Sequence, residues 1–151
     1  MELQKNAAND GYVSTIASTY SWGSNMSVAN NAILLMNLDS ISKKEEYRNL
    51  AKQQLDYLLG ENATSYCFVT GFGSMSPISV HHRPSQTTNQ VVTGMLVGGP
   101  NSNLEDPFAQ ATLQGVPIAK CYVDNEQSYS CNEVTIYWNS ALVYLLAELL
   151  P

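Results

Sequence analysis

Two carboxyl side chains in one stretch of the sequence, Asp124 and Glu133, have the chemistry needed for proton transfer. They lie nine positions apart where a polar segment runs into an apolar, periodic one, with Tyr122 and Tyr129 beside and between them. Aromatic rings offer apolar faces with a polar edge, which suits them to the apolar faces of sugar rings. The stretch 121–140 is therefore interpreted as a carbohydrate site with two acids at its rim.

Glu133 also has an ordinary structural interpretation. Apolar residues that recur every three or four positions predict a final helix from near Asn132, its N-cap, to about Leu149. Glu133 would then lie in the first turn, where the positive end of the helix dipole stabilises a carboxylate. A catalytic acid must instead be protonated before it reacts. Burial among aromatic rings, or the nearby Asp124 carboxylate, could raise the pKa of Glu133 enough to favour that form. From the residues alone, the capping role of Glu133 is favoured over the catalytic one.

A second polar group, His81, His82 and Arg83, lies in a stretch rich in Gly, Pro, Ser and Asn. Neutral imidazoles and a permanent cation suit hydrogen bonding to sugar hydroxyls or to a carboxylate. A surface turn with an arginine ion pair is the equally supported structural alternative. No metal site is predicted, because adjacent histidines rarely chelate one ion and no helical His-x-x-x-His is present.

The composition disfavours several classes of partner. Seven basic and thirteen acidic residues give a net charge of −6, which opposes binding to nucleic acid and to anionic membrane surfaces. The first thirty residues contain no basic head followed by an apolar run, and no run approaches the roughly 18 apolar residues of a membrane span. Neither a signal peptide nor a membrane partner is predicted for this chain.

Three cysteines, Cys67, Cys121 and Cys131, show neither a Cys-x-x-Cys pair nor a histidine at metal-ligand spacing. Buried free thiols are favoured over a redox or metal role. A disulfide between Cys121 and Cys131 stays open as an alternative.

The elements that position these residues are predicted to be mostly helical. A first apolar stripe indicates a helix capped by Asn25 or Ser27. A capping box at Ser42–Glu45 and a stop at Gly60 predict a second helix, from about Lys43 to Leu59. Their short connection predicts an antiparallel hairpin.

The segment 61–124 is too long for a featureless linker and is predicted to be an ordered functional loop. Within it, 90–100 is interpreted as one short strand. The fold class is thus mostly α, with helical hairpins that carry long loops at one end.

Two blocks of the sequence resemble the family 9 glycoside hydrolases, the inverting endoglucanases and related cellulases. The first block comprises Tyr57–Asn62, Phe68–Gly73, Ser76–Pro77 and His81–Ser85. The second comprises Tyr122, Asp124, Tyr129, Asn132–Thr135 and Asn139–Ser140, at the positions of the family's active-site signature. Tyr20–Asn25 also reads as family sequence, so the resemblance runs from about Tyr12 to the end of the chain.

The resemblance implies part of an (α/α)6 barrel whose loops at one end form the substrate cleft. It implies that Glu133 is the general acid that protonates the leaving glycosidic oxygen, with His81 and Asp124 as further catalytic residues. It implies substrate-binding roles for the remaining matched side chains: Arg83, Tyr129 and Trp22.

One part of the family's machinery is missing. The Asp-x-x-Asp pair that holds and deprotonates the attacking water does not occur among the aspartates of this chain, which are Asp10, Asp39, Asp56, Asp106 and Asp124. An inverting mechanism needs a base as well as an acid, far enough apart to admit water. Residues 1–151 are therefore interpreted as the C-terminal portion of a catalytic domain.

The resemblance also implies partners and location. The substrate would be a β-glucan polysaccharide such as cellulose, or a cello-oligosaccharide, and the remainder of the catalytic domain would be a protein partner. No cofactor is required, calcium is admitted in a full-length enzyme, and the full-length protein would be secreted or held at the cell surface. The alternatives are a cello-oligosaccharide-binding piece without catalysis and an inactive truncated remnant.

Overall fold

The structure, a computed structural model, describes residues 1–149 and consists of helices joined by long loops. The helices are α1 Glu2–Ala8, α2 Ser24–Ser42, α3 Glu45–Leu58, α4 Arg83–Thr88, α5 Pro107–Leu113, α6 Tyr129–Asn132 and α7 Ile136–Leu149, with a 3-10 turn at Ile118–Lys120. The mostly α prediction is confirmed. No helix within residues 1–149 is long and apolar enough to cross a membrane.

Helices α2, α3 and α7 form the helical part of the core, with α2 packed against both of the others. Each contributes an apolar stripe, and burial of such stripes is the main source of helix stability in a protein. Alanines at two positions of α2 lie fully buried, which allows the neighbouring helices a close approach. The fully buried apolar residues of these helices are Val28, Ala29, Ala32, Leu35, Ala51, Leu58 and Leu145.

The start of α2 differs from the prediction. Helix α2 begins at Ser24 after Gly23, so Asn25 and Ser27 lie inside the helix and neither is its N-cap. Gly23 has a positive φ of 78°, and a Cβ there would come within 2.9 Å of the Trp138 ring, so this position requires glycine.

The hairpin of α2 and α3 is confirmed, but the predicted capping box is wrong. The Ser42 hydroxyl donates to the Leu38 carbonyl, 2.6 Å away, and so belongs to the last turn of α2. Helix α3 begins at Glu45 after Lys44, which makes no side-chain cap. At the other end the stop is confirmed, because α3 ends at Leu58 shortly before Gly60.

The predicted strand at 90–100 is not formed. Leu96 and Val97 instead make isolated antiparallel bridges to Val69 and Val134. The two glycines that follow hydrogen-bond to two different helices. The Asn25 N–H of α2 donates to the Gly98 carbonyl at 3.0 Å, and the Gly99 N–H donates to the Cys131 carbonyl of α6 at 2.9 Å. Segment 96–101 therefore joins the start of α2 to the α6 region.

The last helix begins later than predicted, at Ile136. Asn132 closes the single turn of α6 instead of capping α7, and Glu133 has φ −59° and ψ 146°, an extended conformation. Glu133 is therefore not in the first turn of a long helix.

The thiols of Cys67, Cys121 and Cys131 are free and buried, as favoured from the sequence, and the alternative disulfide is absent. Burial raises the pKa of each thiol, which disfavours the reactive thiolate.

Gly99→Ala is expected to destabilise the protein more than Gly94→Ala. Both glycines have similar positive φ, +89° and +92°, so either alanine meets a similar backbone cost. At Gly94 an added Cβ meets nothing within 4 Å, whereas at Gly99 it overlaps the buried Asn25 side chain. That overlap should add about 1–3 kcal/mol to the loss. Urea unfolding followed by circular dichroism checks this, and equal losses in the two variants would contradict it.

Candidate active site

The backbone of Glu133 is held from two directions. Its N–H donates to the Tyr129 carbonyl at 2.9 Å, across the turn of α6, and its carbonyl accepts from the Gly98 N–H at 3.1 Å. It also forms an isolated parallel bridge with His81. The two sequence segments predicted to carry chemistry are therefore brought together at this bridge.

The side chain of Glu133 meets Trp22, a residue predicted only as a sugar-stacking group. The indole Nε1–H of Trp22 donates to Oε2 of Glu133 at 3.0 Å. The Trp22 ring is 38% exposed and lies 5.4 Å from the Tyr129 ring between centroids, with the planes tilted by 40°. An acid and two aromatic rings thus share one accessible surface, which we call the aromatic face: Trp22, Tyr129 and Glu133.

His81 lies next to this aromatic face with a fixed orientation. Its backbone N–H donates to the Asn132 carbonyl at 2.9 Å, and its ring contacts the Tyr129 ring edge-on at 5.8 Å. Its Nδ1 lies 2.7 Å from the Glu126 carbonyl. Because a carbonyl can only accept, Nδ1 carries the proton, and Nε2 of the neutral ring can then accept a hydrogen bond.

Asp124 acts on the loop that leads to His81. Its two carboxylate oxygens accept from the backbone N–H groups of Ile78 and Ser79, at 2.9 and 3.0 Å. Both bonds are charge-assisted, so they fix the loop firmly. The structure therefore places Asp124 as a support for the His81 loop, and its direct catalytic role stays a prediction.

Arg83 is the first residue of α4, exposed and two positions beyond His81. Within residues 1–149 its guanidinium makes no ion pair, so the arginine ion pair of the structural alternative is not seen there. The neighbouring His82 is engaged locally, with Nδ1 2.9 Å from the Ser85 hydroxyl. Substrate binding by Arg83 stays a prediction.

Asn132 lies in the second block of the family resemblance, but the only structural role predicted for it was that of a helix cap, and the structure gives it a different one. Its amide oxygen accepts from the Tyr122 hydroxyl at 2.7 Å. Its amide nitrogen donates to the carbonyls of Val123 and Asn125, on either side of Asp124. One buried side chain thus holds the Asp124 loop, while its own carbonyl holds His81. The sequence signal for Asn132 was its place in the second block of the resemblance, just before Glu133.

Tyr122 holds the Asn132 side chain through its hydroxyl. Its ring is buried against the rings of Tyr66 and Phe68, with centroids 5.0 and 5.1 Å away. Burial, with a smaller contribution from the nearby Asp124 carboxylate, raises the pKa of Tyr122 well above its ordinary value. The hydroxyl therefore stays protonated and available as a donor to Asn132.

An open hollow of about 360 Å³ extends the aromatic face on the α5 side of Tyr129. Its lining is mostly apolar, and it consists of Pro107, Phe108, Ala111, Gln127 and Tyr129. A surface of this kind fits the faces of a sugar ring better than a charged ligand. Within residues 1–149, no group of three or more His, Cys, Asp or Glu side chains could hold a metal ion.

Comparisons with known proteins point to one family. The model of Glycosyl hydrolase family 9 matches residues 2–146. A cellodextrinase of Butyrivibrio fibrisolvens is 40% identical over 132 residues, which are 85% of this chain and 24% of the relative. A xyloglucan-specific endo-β-1,4-glucanase of Bacteroides ovatus is 41% identical over 122 residues, which are 80% of this chain and 20% of the relative.

Comparisons with solved structures point to the same family. A thermostable endoglucanase from Alicyclobacillus acidocaldarius, solved as a single mutant, superposes with a TM-score of 0.94 at 37% identity, over 98% of this chain and 29% of that one. The family 9 endoglucanase J30 superposes with a TM-score of 0.95 over 99% of this chain and 28% of that one. The predicted fold, part of an (α/α)6 barrel, is confirmed. The chain spans less than a third of the length of these relatives.

Asn132→Ala is expected to lower the free energy of unfolding by about 2–4 kcal/mol, because the Tyr122 hydroxyl and two backbone carbonyls lose their partner. It should also shift the amide resonances of Ile78, Ser79 and His81, since the Asp124 and His81 loops lose their common support. Urea unfolding and ¹⁵N-edited NMR measure the two effects.

The matched control is Asn62→Ala. Asn62 is equally buried and also donates to two carbonyls, those of Tyr57 and Tyr66, but it touches no residue of the aromatic face. It should cost stability without shifting the three amide resonances. If Asn132→Ala left those resonances in place, the supporting role of Asn132 would be wrong.

Proposed function

This chain belongs to glycosyl hydrolase family 9, and we propose that it is the C-terminal portion, residues 1–151, of a catalytic domain that hydrolyses β-1,4-glucosidic bonds in cellulose or a related β-glucan. The observation that carries the proposal is the accessible carboxyl of Glu133, hydrogen-bonded to Trp22 beside the ring of Tyr129. Protonation of a glycosidic oxygen requires a carboxylic acid beside it, and the aromatic rings offer a surface against which the sugar can pack.

The hydrogen bond from Trp22 divides the two oxygens of Glu133 between two tasks. Oε2 accepts from the indole N–H, so a proton on the carboxyl is better placed on Oε1. Oε1 would donate that proton to the leaving glycosidic oxygen. The indole then stabilises the carboxylate that remains, because a hydrogen bond to an ionised acceptor is stronger than one to a neutral acceptor.

The neighbouring groups would bind the sugar around the bond that breaks. Trp22 and Tyr129 present ring faces to glucosyl units, while Nε2 of His81 accepts from a sugar hydroxyl. Arg83, exposed at the start of α4, would donate to hydroxyl groups. Asp124 would act through the His81 loop.

The inverting step needs a base that this chain does not supply, since none of its aspartates forms an Asp-x-x-Asp pair. The remainder of the catalytic domain would supply it. Large apolar side chains exposed on α2 and α7 would pack against that remainder: Leu34, Ile41, Ile136, Val143 and Tyr144. The proposal includes secretion or a cell-surface location for the longer protein and no required cofactor, and it allows for calcium in the full-length enzyme.

A second candidate is cello-oligosaccharide binding by this chain without hydrolysis. It is favoured by one observation: the side chains proposed to contact sugar all lie within the described residues, and the base does not. The two candidates differ only in whether a base is added from elsewhere. An inactive remnant that neither binds nor cleaves is the outcome that would overturn both.

The purified 151-residue chain is expected to release no more reducing sugar from cellotetraose than its Glu133→Gln variant, because an acid without a base cannot activate water. Reducing-end assays over long incubations measure this. Turnover by the parent chain that Glu133→Gln abolishes would contradict the assignment of the base to another segment.

Calorimetric titration with cellotetraose is expected to show binding by the parent and by Glu133→Gln, and binding at least about fivefold weaker by Trp22→Ala, which loses an aromatic contact surface. Tyr144→Ala is the matched control, because Tyr144 is 44% exposed on α7, close to the 38% of Trp22, and is not part of the aromatic face. Absence of binding heat for the parent chain, or an equal loss in both aromatic variants, would contradict the proposed sugar site.

A further inference from the structure

Asp106 is a buried carboxylate that the proposed mechanism does not use. It is fully buried and is the N-cap of α5, where its Oδ1 accepts from the Ala109 N–H at 2.7 Å. Its Oδ2 accepts from the Ser128 hydroxyl at 2.9 Å and from the Ser130 N–H at 3.1 Å. The Ser130 hydroxyl also donates to Oδ2. One carboxylate therefore binds two separate segments of the chain.

These bonds compensate the charge of Asp106 without a cation. Burial alone raises the pKa of Asp106, but the donors from Ser130, Ala109 and Ser128 outweigh it, so the pKa lies below its ordinary value. Within residues 1–149 no basic side chain forms an ion pair with it. The carboxylate is thus ionised at neutral pH and holds its donors through charge-assisted bonds.

The two segments that Asp106 joins are the two walls of the hollow beside Tyr129. Helix α5 supplies one wall through Pro107, Phe108 and Ala111, and the segment that leads into α6 supplies the other through Gln127 and Tyr129. Ser128 and Ser130 flank Tyr129 directly in sequence, so their bonds to Asp106 fix the backbone that carries its ring.

The position of Tyr129 in turn affects the acid. The Tyr129 carbonyl accepts from the Glu133 N–H at 2.9 Å, and its ring contacts the Trp22 ring at 5.4 Å. The residue before Asp106 holds the backbone of Trp22, because Oε2 of Glu105 accepts from the Trp22 backbone N–H at 3.3 Å. Glu105 and Asp106 therefore support both rings of the aromatic face.

We propose that Asp106 is a positioning residue, whose carboxylate sets the separation of α5 from Tyr129 and thereby the packing of Tyr129 against Trp22 and Glu133. The inference rests on the proposed function only for its effect on sugar binding. The competing explanation is that Asp106 merely caps α5, which its bond to Ala109 would satisfy alone.

Two substitutions separate these explanations. Ser128→Ala and Ser130→Ala remove the hydroxyl donors from the α6 side of Asp106 and leave its bond to Ala109 in place. The double variant keeps the bond from the Ser130 N–H to Oδ2, so it should hold Tyr129 less tightly, while α5 stays capped. Asp106→Asn replaces one carboxylate oxygen, which accepts hydrogen bonds, with an NH2 group, which can only donate them. It should therefore displace Tyr129 more than the serine double variant does.

The test uses two readouts on the 151-residue chain. The first is the indole N–H resonance of Trp22 in ¹⁵N-edited NMR, assigned by its disappearance in Trp22→Phe. The second is the dissociation constant for cellotetraose. The serine double variant should shift the indole resonance and weaken binding by about fivefold or more, because small displacements of positioning groups have large effects.

Gln54→Ala is the matched control for a general loss of stability. Gln54 is also fully buried and well bonded, to Thr15, Val13 and Leu50, but it contacts neither the hollow nor the aromatic face. It should lower the melting temperature and leave both readouts unchanged in the folded protein. An indole resonance that moves as much in Gln54→Ala as in the serine double variant would overturn the proposal.

The proposal is also overturned if the serine double variant and Asp106→Asn both leave the indole resonance in place. Should the parent chain fail to bind cellotetraose, the proposed function fails, and the indole resonance alone then decides whether Asp106 positions Tyr129 and Trp22.

Discussion

The close approach of segment 97–99 to Glu133 is the constraint on which the site depends. The Gly98 N–H donates to the Glu133 carbonyl, and α2 holds the same segment through the backbone and side-chain amides of Asn25. A Cβ at Gly98 would lie 3.1 Å from the Trp138 ring and 3.2 Å from the Cys131 carbonyl, so any larger residue there would have to displace these neighbours by a few tenths of an ångström. The helical core is thus connected to Glu133 through one short segment, 97–99. The ring of Trp138, in α7, packs against this segment at Gly98.

The sequence predicted the long helices because their apolar stripes are buried against one another, as the packing of α2, α3 and α7 shows. It failed where tertiary bonds override local preference. The predicted last helix included Glu133, but the bond from Gly98 and the bridge to His81 hold that residue extended. Ser42 satisfied the capping pattern, yet its hydroxyl bonds back to Leu38 in the preceding helix.

The residue types suggested a carbohydrate site at 121–140, but the contacts that build the site could not be predicted, since they join distant residues. Trp22 and Glu133 are 111 positions apart, and no local pattern indicates that an indole N–H meets that carboxyl. The structure makes Asp106 the N-cap of α5 inside a segment predicted to be a loop, and its bonds to Ser128 and Ser130 cross 22 and 24 positions. Helix caps and apolar stripes can be predicted from neighbouring residues, whereas the geometry of a cleft depends on residues that are far apart in the sequence.

The central claim is that Glu133 donates a proton to a glycosidic oxygen of a β-1,4-glucan. A crystal structure of the Glu133→Gln chain with cellotetraose tests it most directly, because it places the leaving oxygen relative to the side chain. The account predicts a glycosidic oxygen at hydrogen-bond distance, roughly 2.6–3.2 Å, from the side-chain position of Oε1, with a glucosyl ring against Trp22 or Tyr129. An oligosaccharide bound away from residue 133, or with a glycosidic oxygen beyond reach of that side chain, would contradict it.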